Sequence, residues 1–290
     1  MERLLIVAAL TAVIHMINTL IFAVRISGVR TKRLATALSL FNVIFLLAST
    51  ANSIQGFLLA SIVEKAIKAG QEQAGMVMPL EQLVYHPAYQ AQLALLDHRI
   101  RLVIGAATLG TVLGALLIPA FVNIFNKAIF IFEETGSVPR MLKIMLFSPR
   151  KVFNGMGQVR IPGRKAFKNL SSRRGAIPKT FIILNFFVTG IYTTGVLSAL
   201  YAGALFPDFR AAAATLSAVV NGVATILSAT VVDPTAAMIT DQALRGDRSE
   251  EDVKQMAIYL SISRFLGTGF AQVIFVPSAL LIKFMASLLA

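Results

Sequence analysis

The chain reads as an all-α, polytopic membrane helical bundle of about six transmembrane helices, with amphipathic interfacial helices in its long loops. Three observations predict this. Hydrophobic residues make up 56% of its 290 residues and mean hydropathy is +0.74, which is membrane-protein composition. Six apolar runs recur, each long enough to cross a ~30 Å hydrocarbon core at ~1.5 Å per residue. The net charge of +13 is confined to two stretches. Residues 25–33 carry +4 through Arg25, Arg30, Lys32 and Arg33, and 126–178 carry +9, eleven Lys or Arg against Glu133 and Glu134. Basic runs placed between apolar spans do not suit a nucleic-acid binder. The positive-inside rule puts both stretches in the cytoplasm, and six spans then put both termini outside.

Span one is expected at about Leu4 to Val24. Thr11, His15, Asn18, Phe22 and Arg25 recur there at spacings of four and three, so they share one helix face. Polar groups at bilayer depth turn to a protein interior or a wet cavity, because hydrocarbon leaves them unpaired. Span two begins at Leu34 and stays apolar to Val63, longer than a bilayer needs. It is strongly tilted or interrupted near Asn52–Gly56. Ser39, Asn42, Ser49, Asn52 and Gly56 form its stripe, with Gln55 beside it. Small and polar residues of this kind also serve as helix–helix glue.

Residues 64–101 are balanced in charge, and read as an outer loop of short amphipathic helices on the membrane surface. Its His86 and His98 lack a second ligand pair at useful spacing and read as surface histidines. Span three, Leu102 to Phe125, offers Gly110 and Gly114 for a close helix contact. The 126–178 loop mixes basic groups with Phe, Met and Leu, as in MLKIMLF at 141–147. That pattern predicts an interfacial helix and anionic membrane lipids as partners.

Span four is Thr180 to Phe206, and span five is Ala211 to Val232 with a stripe of Ser217, Asn221, Thr225 and Ser228. Asp233-Pro234 reads as N-cap and first turn of a new helical piece. Ser249-Glu250-Glu251-Asp252 resembles a capping box, so a helix should start near Glu250 and run into span six, Met256 to about Leu289. Arg264 lies about two turns inside that span. It either snorkels to the surface or pairs with Asp233 or Asp241 over a cavity. Four of the six spans thus carry polar stripes, more than a scaffold needs.

Several chemistries are disfavoured. The chain has no cysteine for a disulfide or a thiolate metal site. It contains no G-x-x-x-x-G-K-[ST] loop for ATP, and no metal or other cofactor is expected. An enzyme acting on a lipid headgroup would need clustered carboxylates or a histidine nucleophile. Asp233 and Asp241 stand eight apart with no third acid on that face. The residues themselves reach a polytopic protein with an internal polar, cationic path.

Five segments carry a resemblance to a known family: IHMINTLIFAVRISGVRTKRLATALSLFN (14–42), STANSIQ (49–55), NGVATIL (221–227), VVDPTAAMITD (231–241) and SRFLGTGFAQVIF (263–275). Together they resemble the Amj family of bacterial lipid II flippases. The resemblance is incomplete at Asn18 and Ser49, where the family pattern carries charged groups. It implies a multi-pass protein of the bacterial plasma membrane that moves undecaprenyl-pyrophosphate-linked peptidoglycan precursor outward. Its partner would then be lipid II or another polyprenyl-pyrophosphate-linked lipid. On that reading Arg25, Arg30 and Arg264 draw the pyrophosphate, with His15, Asp233 and Asp241 in the same path. Asn18, Asn42, Asn52, Gln55 and Asn221 hydrogen-bond sugar and peptide. Six spans make a small vestibule for so large a headgroup, so a homodimer is expected. The rivals are a membrane enzyme on a polyprenyl-phosphate headgroup and a non-transporting cell-envelope assembly factor.

Overall fold

The computed structural model describes residues 2–75, 79–147 and 177–289. Among them there are helices and no strand: α1 (Glu2–Thr31), α2 (Leu34–Gln73), α3 (Leu80–Leu83), α4 (Pro87–Thr135), α5 (Val138–Phe147), α6 (Lys179–Leu205), α7 (Arg210–Thr215), α8 (Ser217–Leu227), α9 (Asp233–Arg245) and α10 (Glu250–Leu289). A 3-10 turn at Pro207–Phe209 leads into α7, and a π-turn at Ser228–Val232 joins α8 to α9. Six units are long and apolar enough to cross a membrane: α1, α2, α4, α6, the α7–α9 run and α10. This is a multi-pass membrane protein.

The helices alternate in direction, which sorts the connections to two ends. At one end lie residues 32–33 and 246–249, the close of α4 and the start of α6. Arg30 meets Glu250 there at 2.7 Å, and Arg33 pairs with Glu133. At the opposite end Arg3 donates to Ser61 at 2.8 Å, Arg210 pairs with Glu64 at 2.9 Å, and the Tyr89 hydroxyl donates to the Ala204 carbonyl at 2.7 Å.

Lipid gives no hydrophobic drive between helices, so close packing must hold them. Gly110 of α4 lies on the backbone of α1: a Cβ there would stand 2.0 Å from the Ala12 carbonyl oxygen. Gly114 does the same one turn on, 2.7 Å from the Met16 carbonyl oxygen. The Gly110/Gly114 contact read from the sequence is thus present, and its partner is α1. A second crossing joins α6 to α10. A Cβ on Gly267 would stand 2.6 Å from the Phe186 carbonyl oxygen, and buried Asn185 donates to Ser263 Oγ at 2.6 Å and to the Leu260 carbonyl at 3.3 Å. These amide bonds satisfy a polar group that lipid could not.

Four expectations change. Residues 64–101 are mostly not a loop: α2 continues to Gln73 and α4 begins at Pro87. Ala66, Ile67 and Gly70 pack on Tyr89, Leu93, Leu96 and Ile100, so the charges there decorate one side of a helix pair. Span two has no break near Asn52–Gly56, and its 40 residues make one helix of roughly 60 Å. Arg25 lies within α1 rather than in the basic turn, which contracts to Lys32 and Arg33. Asp233 is not a cap, because the helix runs into it through the π-turn. Pro234 has no N–H and its ring crowds the preceding turn, and the wider π geometry absorbs both.

Two expectations hold at the helix termini. Ser249 N–H donates to Asp252 Oδ2 at 2.9 Å and Asp252 N–H to Ser249 Oγ at 3.3 Å, a reciprocal cap that starts α10 at Glu250. The 141–147 segment is helical within α5. Met141 is buried against the bundle with Val138 and Met145, while Leu142, Ile144, Leu146 and Phe147 point away. The remaining basic clusters of the 126–178 loop lie outside the described residues.

Gly110→Leu should cost about 1–3 kcal/mol, because backbone and not a pliant side chain stands in the way. A lower Tm in detergent measures it. Gly105→Ala, with nothing within 4 Å of the new Cβ, should hold or raise Tm, because it removes a glycine from a helix interior.

Candidate cationic site between the membrane helices

The stripe of α1 faces inward as its spacing demands. Thr11 and Phe22 are buried, and His15, Asn18 and Arg25 are half-buried. Thr11 is held by Gln55 of α2, whose amide nitrogen donates to its Oγ1, while Thr11 itself donates to the Val7 carbonyl at 2.7 Å. Arg264 of α10 reaches across to α1. Its Nη1 donates to the backbone carbonyl of Asn18, and its guanidinium lies over the Phe22 ring, 5.8 Å from the centroid. A helical carbonyl has a second lone pair free for this bond. The guanidinium thereby gains a neutral acceptor and an aromatic face instead of a carboxylate.

Charge surrounds these groups without contact. Arg264 lies within electrostatic reach of His15, Asp233 and Tyr192, and Arg25 within reach of Asp233 and Asp241. Among the described residues, none of these Arg–carboxylate pairs comes within the 4 Å of an ion pair. The direct pairing of Arg264 with Asp233 or Asp241 is therefore not made, and neither is snorkelling. Arg25 has no hydrogen bond or ion pair among the described residues. Asp233 and Asp241 are exposed, and Asp233 Oδ2 accepts from Ser228 Oγ at 3.0 Å.

The other predicted residues are not brought to this place. Arg30 is held at the rim by Glu250, which also receives Lys254 at 3.1 Å. Asn42 and Asn52 lie on the exposed side of α2 with Ser39 and Ser49, so that stripe does not line the seam between α1 and α10. Asn221 of α8 sits in the notch left by Gly195 of α6, where a Cβ would stand 2.0 Å from its Oδ1. That oxygen is buried with no hydrogen-bond partner among the described residues.

Two groups were not among the predicted site residues. Tyr192 of α6 donates to Thr225 Oγ1 of α8 at 2.8 Å, beside Arg264. The sequence places it on one side of span four with Asn185 and Thr189, but does not mark it as part of a site. Arg101, assigned from the sequence to a loop, instead joins α4 to α10. Arg101 Nη1 donates to the Gln272 carbonyl at 2.8 Å, Gln272 Nε2 returns a bond to the Arg101 carbonyl at 2.9 Å, and Asp97 sits at 2.7 Å. The i,i+4 spacing of Asp97 and Arg101 was the only hint.

Among the described residues, no three His, Asp or Glu stand together as metal ligands. Inside the membrane helices the seam holds two guanidiniums: Arg264, with His15 and Tyr192 in its reach, and Arg25 nearer the basic end. Fold and site define a multi-pass membrane protein with a charged seam between helices, the kind of site that receives a polar or anionic group at membrane depth. Residues 10–286 match the family model described as Amj, alternate to MurJ, and the chain belongs to that family. It is 34% identical over 266 residues to the lipid II flippase Amj of Bacillus subtilis (strain 168), covering 92% of this chain and 90% of that one. No solved structure matches it.

Because the Arg30–Glu250 pair is more than one-third exposed on the arginine side, Arg30→Ala should cost no more than about 1 kcal/mol. Arg30→Glu should lower Tm further by facing Glu250 with a like charge. Thermal unfolding of Arg30→Glu/Glu250→Arg should recover part of that loss.

Proposed function

We propose that this chain is a lipid II flippase: a transporter, not an enzyme, that carries undecaprenyl-pyrophosphate-linked peptidoglycan precursor from the inner to the outer leaflet of the bacterial plasma membrane. The observation that carries the reading is Arg25. A half-buried guanidinium within a membrane helix, without hydrogen bond or ion pair among the described residues, is expensive unless a ligand supplies its acceptors. Arg264, with His15 and Tyr192 in its electrostatic reach, offers a second guanidinium further along the same seam. Pyrophosphate oxygens suit the planar fork of arginine. The polyprenyl tail stays in lipid while the headgroup moves along the seam. Membership in the Amj family and the name of the Bacillus subtilis relative support the same substrate.

The proposal places 32–33 and 246–249 in the cytoplasm and the termini outside, on the basic charge of the first end. Anionic lipid headgroups would hold α5 through Arg140 and Lys143. A homodimer would give the exposed amides of α2 partners that lipid lacks.

The purified chain in proteoliposomes should move labelled lipid II between leaflets. Arg25→Ala and Arg264→Ala should abolish that movement while membrane levels stay near normal, and Arg25→Lys should keep part of it. Headgroup hydrolysis without movement would favour the enzyme reading, and neither activity would favour an assembly factor. Sidedness is open to single-cysteine labelling, because the chain has no native cysteine. An impermeant reagent on intact cells should label Gln73→Cys and spare Asp247→Cys.

A further inference from the structure

We infer that Arg101 is a second anion subsite, in the seam between α4 and α10, that takes the phosphate of a polyprenyl-linked lipid at the end of the bundle away from the basic connections. The inference rests on the flippase reading, which puts that end outside, and adds to it a residue for departure of the headgroup.

Arg101 and Arg264 are held in the same way. Each donates Nη1 to a main-chain carbonyl of a facing helix, Arg264 to Asn18 of α1 and Arg101 to Gln272 of α10 at 2.8 Å. Each guanidinium also lies over a Phe ring of that same helix, just beyond the carbonyl: Phe22 at 5.8 Å and Phe275 at 5.6 Å. A carbonyl is a neutral acceptor, and charge-assisted bonds between arginine and phosphate are roughly twice as strong as neutral ones. An anion that reaches either arginine therefore competes with a bond that holds two helices together. The ties of α10 to α6 carry no charge and offer an anion nothing: Asn185 bonds Ser263 and the Leu260 carbonyl, and Ser198 donates to the Phe275 carbonyl at 2.9 Å.

Three features fit Arg101 to receive a phosphate borne by a lipid. Its Nε holds Asp97 at 2.7 Å and its Nη1 the Gln272 carbonyl, which leaves Nη2 without a hydrogen bond among the described residues. Its side chain is 38% exposed. The seam beside it is open. Gly105, one turn along α4 from Arg101, and Gly269, one turn back along α10 from Gln272, are placed so that a Cβ on Gly105 or Gly269 would meet nothing within 4 Å. These offsets are about 40° and 60° in the same sense round two antiparallel helices, so both glycines fall on one side of the seam. Leu102, Leu109 and Val273 are exposed on that side too. A polyprenyl tail lies against them while its phosphate stays at Arg101.

A phosphate on the Nη1–Nη2 edge takes Nη1 from the Gln272 carbonyl. The helices then keep the neutral bond from the Gln272 amide to the Arg101 carbonyl, 2.9 Å long. Asp97 stays on Nε, and its like charge beside the phosphate weakens the hold, as departure requires. Gln272 stands eight residues, about 12 Å, beyond Arg264 along α10, so this subsite lies nearer the far end than the first.

The full chain in vesicles of zwitterionic lipid carries the test, with Gly105→Cys as its only thiol. Farnesyl pyrophosphate should slow modification of that thiol by a maleimide about tenfold, and farnesol should not. Inorganic pyrophosphate at the same concentration should protect far less, because it lacks the tail. Arg101→Gln should abolish the protection, Arg101→Lys should keep part of it, and Arg264→Ala should leave it in place. Gly269→Cys serves where Gly105→Cys does not accumulate. Labelled lipid II should flip about tenfold more slowly in Arg101→Gln than in wild-type protein. No protection by farnesyl pyrophosphate, or equal protection by farnesol or by added phosphatidylglycerol, overturns the inference and leaves Arg101 a tether between helices. Should farnesyl pyrophosphate protect the thiol while wild-type protein fails to flip lipid II, the subsite stands and the flippase reading falls.

Discussion

The close crossing of α1 and α4 at Gly110 and Gly114 is the contact on which the site depends. Each glycine lets backbone meet backbone, and in lipid that proximity is what dispersion can reward. The crossing fixes the rotation of α1. Ala12, Met16 and Thr19 face α4, so Thr11, His15, Asn18, Phe22 and Arg25 lie roughly a quarter-turn round the helix. That rotation presents the Asn18 carbonyl and the Phe22 ring to Arg264. A bulkier residue at position 110 would disturb the crossing and with it the surface on which the charged groups are arranged.

The second crossing, of α6 on α10, places Arg264 from the other side. The charged seam thus lies between two tightly packed pairs rather than within one of them. This separation explains why its groups come near one another without bonding. His15, Arg25, Arg264, Asp233 and Asp241 are contributed by α1, α9 and α10, and the elements between them pack far less closely than the glycine crossings. The two bundle ends differ in kind as well. At the end away from the basic connections, Tyr89, Arg101, Glu64 and Arg210 find hydrogen-bonding or ionic partners, and apolar residues of α2, α4 and α6 fill the space between.

Much of the fold was legible because membrane helices declare themselves by length and apolarity, and because the 3.6-residue period of the α1 stripe is unbroken. The reciprocal cap at Ser249 and Asp252 and the glycine pair of α4 were legible for the same local reasons. What could not be read is which way a stripe faces. Asn42, Ser49 and Asn52 repeat as regularly as His15 and Arg25, yet they lie on the exposed side of α2, since sequence spacing gives a face but not its neighbour. Hydropathy also ended span two too soon and began span three too late. It registers the charges at Glu64, Asp97 and Arg101 but not the apolar side on which Ile67, Leu93 and Leu96 pack. Partners distant in sequence were invisible throughout: nothing near Arg264 announces a carbonyl 246 residues earlier.

The turn between α1 and α2 has a mechanical meaning. Two residues join the helices, Lys32 takes a left-handed φ of +56°, and Gly28 accepts Leu34 so closely that a Cβ there would stand 2.9 Å from the Leu34 Cα. Such a joint has no slack. With α4 locked onto α1 by its glycines, α1, α2 and α4 form one lever. The sparser contacts are then those of α9 with α1 and α10, and the residues that carry the charge of the seam stand there, outside the lever.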